Sequence, residues 1–493
     1  MKRRQFNRRL VAFCAVASGA PLLSRCTRNA RNLQEAIALE RISSTEGLLE
    51  LSLTAKAQTQ AIAGEQVKLL TYNGQVPGPM LEARAGDTVR ITLENELEVP
   101  TNLHYHGLHI SPAIDNVFRE VSAGVGTASP TENRYTYEFQ IPDNHPAVTG
   151  WYHPHYHLRV ASQVFGGLAG PFIIRGELDE IPEIQQAEEA VLLLKDFEPR
   201  LQNGSDQLSP LAEKWGREGH LLTANAQQNP VIGLPQNGLL RLRLINASAS
   251  RIYQLQLPEH PWFLIATDRG AIAQPTELET LTLSPGERAE LLIPGNREAN
   301  DYKIWSLPYD RGIAEMIDGF GKAIEQMPGV VPPQKTAIAT LRYKENERTT
   351  PLPLPTQLVA VEPLPEPDIT REFVLNHGID STAGSTGFII NGESFVMDKV
   401  NTRVRLNQVE DWRIVNKASV DHPFHLHTNR FQVVERNGKA DPFRAWKDTV
   451  NIGGYETVTI RTKFEDFTGR TVYHCHILDH EDQGMMGIVE IQA

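Results

Sequence analysis

An all-β chain built from three sandwiches of related design is what this sequence predicts, and three observations predict it. One local pattern occurs three times along the 493 residues. Apolar residues alternate at period two inside each copy, the mark of half-buried strands. Turn signals between the runs are dense, with 36 Gly and 32 Pro in the chain, among them Pro77-Gly78, Pro285-Gly286, Asn437-Gly438 and Gly453-Gly454.

The first copy reads Tyr72-Asn73-Gly74-Gln75-Val76-Pro77-Gly78-Pro79. A strand with Val89, Ile91 and Leu93 follows and ends at Asn95, before His104-Tyr105-His106-Gly107. The middle copy has Thr223-Ala224-Asn225, then alternating Leu240, Leu242 and Leu244 and the pair Ile245-Asn246, with no histidine pair after it. The third has Ile390-Asn391-Gly392, Trp412-Arg413-Ile414-Val415-Asn416 and His422-Pro423-Phe424-His425-Leu426-His427. These copies set domains at 47–180, 181–345 and 371–493. A proline-rich linker, residues 346–370, is densest in proline from Thr349 to Pro367. One segment is helical: Ile313, Met316, Ile317, Phe320 and Ile324 form an amphipathic stripe up to Met327. It reads as a surface flap or as a helix packed on the sandwich.

Composition narrows the function. The chain carries 48 basic and 60 acidic residues, net −12, which disfavours a nucleic-acid partner because counterion release needs a basic face. Hydrophobic residues at 40% and charged ones at 22% fit a globular chain. The three cysteines, Cys14, Cys26 and Cys475, leave one in the body and no disulfide framework.

The start, Met1-Lys2-Arg3-Arg4-Gln5-Phe6 and a modest apolar run from Leu10 to Leu23, resembles a twin-arginine signal, here given residues 1–26. It predicts export by the twin-arginine machinery to the periplasm. The run, broken by Ser18, Gly19 and Pro21, is too short for a membrane span. Cys26 lies in a lipobox-like setting, except that Arg25 replaces the small residue expected there. Residues 27–46 read as a polar, loosely ordered lead-in.

Ten of 16 histidines fall in four clusters: His104 and His106; His153 and His155; His422, His425 and His427; His474, His476 and His480. An H-x-H pair on a strand puts both imidazoles on one face, because side chains alternate. In His474-Cys475-His476 the cysteine therefore points the other way, into a second site back to back with the first. His480, Met485 and His422, which stands outside the H-x-H pairing, complete that second site. Two His, one Cys and a weak Met make a blue-copper set. The eight other imidazoles are too many for one metal and suit three metals with open positions.

The motifs His104-Tyr-His-Gly, Trp151-Tyr-His-Pro-His155, His422-Pro-Phe-His-Leu-His427 and His474-Cys-His, followed by His480 and Met485, resemble the four signatures of multicopper oxidases. The resemblance runs from about residue 50 to the end. It implies three cupredoxin-like Greek-key β-sandwich domains and four copper ions: one type 1, one type 2 and two type 3. By motif match, His104 and His425 would hold the type 2 ion, and His106, His153, His155, His427, His474 and His476 the type 3 pair. Tyr105 stands where tryptophan is frequent, and His157 makes a second H-x-H frame with His155; the preceding Trp-Tyr favours His153 and His155. His109, His145, His220, His260 and His377 read as packing or surface histidines.

The resemblance further implies one-electron oxidation of a small-molecule donor, four-electron reduction of dioxygen to water, and a monomeric enzyme. His480 or His422 is expected to present an exposed edge to the donor. Asp115 and Glu481 match acidic positions that deliver protons, while Asp421 and Asp448 are candidates to orient ligands. Only seven methionines are present, at 1, 80, 316, 327, 397, 485 and 486, with no cluster outside the axial region. That favours a laccase-like activity on phenols or aromatic amines over cuprous or ferrous oxidation, since soft thioethers suit Cu(I). Some relatives have lost their coppers and serve as structural or cell-division proteins, and copper nitrite reductases share the fold. All twelve ligand positions are filled here, which argues against both.

Overall fold

Each repeat owes its shape to two asparagines. Asn73, Asn225 and Asn391 sit at positive φ (52°, 50° and 54°), a conformation Asn tolerates, and turn the chain back on itself. Each side chain then locks the turn to a neighbouring strand: the Oδ1 atoms accept from Thr54 N, Leu193 N and Val374 N at 2.7–2.8 Å. The second asparagine ends a strand and ties down the loop after it. Asn95 Nδ2 donates to the carbonyls of Val99, Val121 and Ser122. Asn246 does the same to Arg251 and Leu283, and Asn416 to Val420, Ile452 and Gly453.

The computed structural model describes residues 39–62, 64–125, 132–199, 208–321, 323, 327–345, 348–441 and 443–493. The expected signal segment, with Cys14 and Cys26, lies outside them. No helix among the described residues is long and apolar enough to cross a membrane.

The strands of the described residues form six sheets, two for each stretch of chain. The first stretch pairs Glu65–Tyr72, Leu48–Ile62, Thr88–Asn95 and Arg134–Gln140 in one sheet. Its second sheet runs Arg41–Ser43, Met80–Arg84, Gly170–Arg175, Val148–His153, His104–His106. The middle stretch has sheets of six and five strands between Glu188 and Lys344, and the last has six and five between Ile369 and Gln492. Each pair of sheets closes on its own apolar core: around Leu53, Ile91 and Phe172, around Leu242, Leu291 and Leu341, and around Phe373, Trp412 and Phe424. Each is a cupredoxin-like sandwich, with parallel pairs such as Leu48–Ile62 against Thr88–Asn95.

Three details differ from the sequence reading. The lead-in is not loose throughout: Arg41–Ser43 pairs in parallel with Met80–Arg84, because Ile42 packs on the first core. The helix after Gly312 spans only Ala314–Gly319; residues 322 and 324–326 of the expected stripe lie outside the described residues, as does the side chain of Met316. Ile313 and Ile317 are buried beside Val160, Ala212 and Leu478, so this helix packs rather than flaps. The proline-rich segment is bonded to the body, through Leu352 N to Asn237 O and Leu358 N to Ala273 O, both 2.9 Å.

Candidate metal centres

The short strand His104–His106 lies antiparallel to Val148–His153, with His104 opposite His153. In the third sandwich His422–Leu426 lies against Gly469–Cys475, with His425 opposite His474 and Phe424 opposite Cys475. Pleating does the rest. His104, His106, His153, His155, His425, His427, His474 and His476, all buried, converge where the first and third sandwiches meet. Cys475 points the opposite way, into the third core, with Met485.

Most rings of the eight have one nitrogen anchored and the other free. His104 Nδ1 donates to Asp115 Oδ1 at 2.7 Å and His427 Nδ1 to Asp115 Oδ2 at 3.1 Å. His153 Nδ1 donates to Pro154 O, His425 Nδ1 to Asp448 O and His474 Nδ1 to Cys475 O, at 2.8–3.0 Å. Their Nε2 atoms are thereby lone pairs, and those of His104, His153 and His425 meet no hydrogen-bond partner at all. Burial drives the pKa of His106, His153, His155, His425 and His474 well below the usual value, so these imidazoles are neutral.

The donor set fits a cation. His427 Nε2 and His155 Nε2 approach His474 Nε2 to 3.0 and 3.1 Å. Two of these three atoms, on His427 and His474, are lone pairs by their ring tautomer, so their approach is repulsive unless positive charge lies between them. Four triads with ligand atoms within 4.8 Å tile the space: His104, His106, His153; His104, His425, His427; His155, His427, His474; and His106, His425, Asp448. His476 is beside them, its ring 5.1 Å from that of His106.

The second set is tighter. Cys475 Sγ is 3.5 Å from His422 Nδ1 and 3.7 Å from His480 Nδ1, and the two nitrogens are 3.2 Å apart. Burial pushes the Cys475 thiol far up, so a thiolate here requires the charge of a bound cation. Met485 is fully buried in the same core, and its backbone bonds to His480 O and Cys475 N. Met486 faces the other way, opposite His474.

Asp115, within reach of two imidazoles, is held well below the carboxylate range: burial would raise it, and His104 and His427 outweigh that. Glu481 is the reverse. Burial, helped by Asp482, raises it well above the usual range, and its oxygens lie 3.2 Å from His474 Nδ1 and 3.5 Å from His155 Nδ1. Asp448 reaches His106 Nε2 at 3.2 Å, as an orienting group would. Asp421 does not touch a ring: it accepts from Tyr309 Oη, Asn451 Nδ2 and Gly454 N, tying loops together. His157 packs on Phe395, away from the centre. His109 bonds to Thr428 O and Asp466, His145 to Pro146 O, His220 to Glu198 and His260 to Tyr343, while His377 packs on Trp215 and Phe388.

The expectation of an exposed imidazole edge is corrected. His422 and His480 are both 0% exposed. Phe388 stacks on His480 with centroids 3.7 Å apart, and Trp215 covers Phe388. Phe388 is part of the third sandwich, and the outer layer over it comes from the middle one: Arg311 bonds to the carbonyls of Trp215 and Gly216, and Gln483 to those of Glu213 and Lys214.

Arg288 and Gly286 of the middle sandwich also reach the eight-imidazole centre. Sequence reading missed both, because Pro285-Gly286 shows there only as a turn.

Three family models, each described as multicopper oxidase, match residues 54–179, 195–324 and 365–493. A cell division protein FtsP from Photorhabdus laumondii is 30% identical over 499 residues, 98% of this chain and 97% of its own. A laccase from Bacillus stratosphericus is 27% identical over 481 residues, 86% of this chain and 91% of its own. The structure of a Campylobacter jejuni multicopper oxidase, described as a metallo-oxidase, superposes with a TM-score of 0.78 at 30% identity, covering 94% of this chain and 98% of that one.

Proposed function

Because the chain belongs to the multicopper oxidase family, we propose that it is a laccase-like enzyme with four copper ions. It takes single electrons from phenols or aromatic amines and reduces dioxygen to water. When bound, copper supplies the redox chemistry: four one-electron oxidations of donor balance one four-electron reduction of dioxygen to two waters.

Cys475, His422, His480 and Met485 hold the type 1 ion, His104 and His425 the type 2 ion, and the six remaining imidazoles the type 3 pair. The observation that carries this reading is Cys475 between His474 and His476 at the end of one strand, so that a few covalent bonds join two buried donor sets of opposite facing. Asp115 fixes the tautomers of His104 and His427 and keeps their Nε2 lone pairs turned inward. Glu481, its carboxyl raised by burial and its Oε2 3.2 Å from His474 Nδ1, is the proton donor for water formation. Asp115 stays a carboxylate and accepts. The protein acts in the periplasm as a monomer, exported by the twin-arginine route.

A second reading, oxidation of cuprous or ferrous ion, is supported by the likeness, at 30% identity over 94% of this chain, to the Campylobacter jejuni protein described as a metallo-oxidase. With His422, His480 and Phe388 all buried, a donor of either kind acts from outside these rings. Oxygen uptake by the copper-loaded protein separates the two. Faster uptake with a phenolic donor supports the laccase reading. Faster uptake with Cu(I), corrected for its spontaneous oxidation, replaces it. A chain that takes up no copper is a structural relative, and neither reading stands.

A further inference from the structure

His106 is oriented the opposite way from the five imidazoles that are anchored through Nδ1, those of His104, His153, His425, His427 and His474. Where those five anchor Nδ1 and turn Nε2 inward, His106 has Nε2 engaged, 3.2 Å from Asp448 Oδ1 and 3.3 Å from Thr449 Oγ1, and its buried Nδ1 without a hydrogen-bond partner. The group that fixes Asp448 comes from the sandwich with no histidine pair. Arg288, fully buried, forks onto Asp448 through Nη1 to Oδ1 at 2.6 Å and Nη2 to Oδ2 at 2.7 Å. Its other donors reach Thr149 O at 2.9 Å, Gly286 O at 2.9 Å and Asp268 O at 2.6 Å. All five N–H groups of the guanidinium are used, on partners from all three sandwiches. Asp448 in turn accepts His425 Nδ1 on its own carbonyl, and Thr449 Oγ1 sits 3.0 Å from that same nitrogen. The turn before Arg288 presses on the rings: a Cβ on Gly286 would lie 2.8 Å from His476 Cδ2 and 3.0 Å from His106 Cε1.

We propose that Arg288 is a positioning residue of the eight-imidazole centre: acting through Asp448, it holds His106 with Nδ1, not Nε2, turned to the metal and keeps His425 in register. The middle sandwich thus contributes no ligand but selects a ligand atom. This rests on the metal assignment above.

The test is Arg288→Lys with Asp448→Asn as a second variant, each loaded with copper. An ammonium is a point charge and cannot fork a carboxylate. Loss of such a partner lowers metal affinity about 10–100-fold. The expected result for both variants is an intact blue absorption, a shifted electron paramagnetic resonance of the type 2 copper, and earlier loss of copper to a chelator. Arg243→Lys is the control. Arg243 is equally buried and bonds Thr149 of the first sandwich and Glu290 of the middle one without reaching an imidazole. It should lower the unfolding temperature and leave the resonance unchanged. Wild-type resonance and copper retention in both variants overturn the proposal, as does an equal shift in the Arg243 control. Absence of blue absorption or of imidazole-bound copper in the wild type overturns the metal assignment instead.

Discussion

The middle sandwich and the two outer ones share their turns down to individual hydrogen bonds, yet differ completely in chemistry. Asn225 and Asn246 make the bonds that Asn73 and Asn95, and Asn391 and Asn416, make. After Asn95 and Asn416 the chain runs into buried imidazoles. After Asn246 it runs into Ser248, whose N–H bonds back to Asn246, Ser250, which reaches Asp479, and Arg251, which pairs with Asp196. The fold is thus specified by one set of residues and the chemistry by another, grafted onto it. The middle copy does not become idle. It places Arg288 on Asp448 and Trp215 over Phe388, so it shapes both centres from outside.

The sharpest way to break this comparison is to remove the one residue that faces the third core from between two ligands of the shared centre. Cys475→Ser should abolish blue absorption and donor oxidation while copper bound by the eight imidazoles remains. Retained blue colour refutes the Cys475 assignment.

Next in size is Glu481→Gln. It keeps shape and burial but removes the proton, and general acid catalysis is worth about 10²-fold or more. Oxygen reduction should slow by about that factor with the blue spectrum unchanged. Unaltered turnover removes Glu481 from proton delivery.

Metal removal tests the two classes of sandwich against each other. Copper held by these imidazoles would bind only their folded arrangement, and a site loaded at about a thousand times its Kd stabilises by about 4 kcal/mol. Chelation should lower the unfolding temperature. Hydrogen exchange should quicken in Val148–His153 and Gly469–Cys475 before it does in the core of the middle sandwich. Uniform quickening would mean that the three sandwiches open as one unit.

Most of the fold was legible because its signals are local. Alternating Val89, Ile91 and Leu93, and the Asn-containing turns, need no knowledge of the rest of the chain. The imidazole clusters were equally legible: the H-x-H spacing fixes which side of a strand each ring takes, and Cys475 must then face away from His474 and His476. Asp448 was readable as an orienting group and Asp421 was not separable from it, since what each carboxylate touches depends on Tyr309, Asn451 and Arg288, more than 20 residues away. Exposure was the least legible property. His480 and His422 look like surface ligands in the chain, and become buried because Phe388 packs on them and a segment more than 200 residues before them, ending at Trp215, packs on Phe388.

The smallest predicted effect sharpens the comparison most, because it changes the same bond type in both classes of sandwich. Asn246→Ala leaves the buried carbonyls of Arg251 and Leu283 without their donor, at a cost of about 1–3 kcal/mol for each unsatisfied group. Asn416→Ala leaves the buried carbonyls of Val420 and Ile452 in the same state and releases that of half-buried Gly453. Denaturant midpoints should fall in both. The outcomes then diverge on what the released loop carries. Val420 is two residues before His422, so Asn416→Ala should also shift or weaken the blue absorption. The loop after Asn246 bears no metal ligand, so the absorption of Asn246→Ala should match that of the wild type. Equal spectral change in the two variants would show that the middle sandwich sets the Cys475 site through its loops as well as through its cover, and the separation of scaffold from chemistry would fail there.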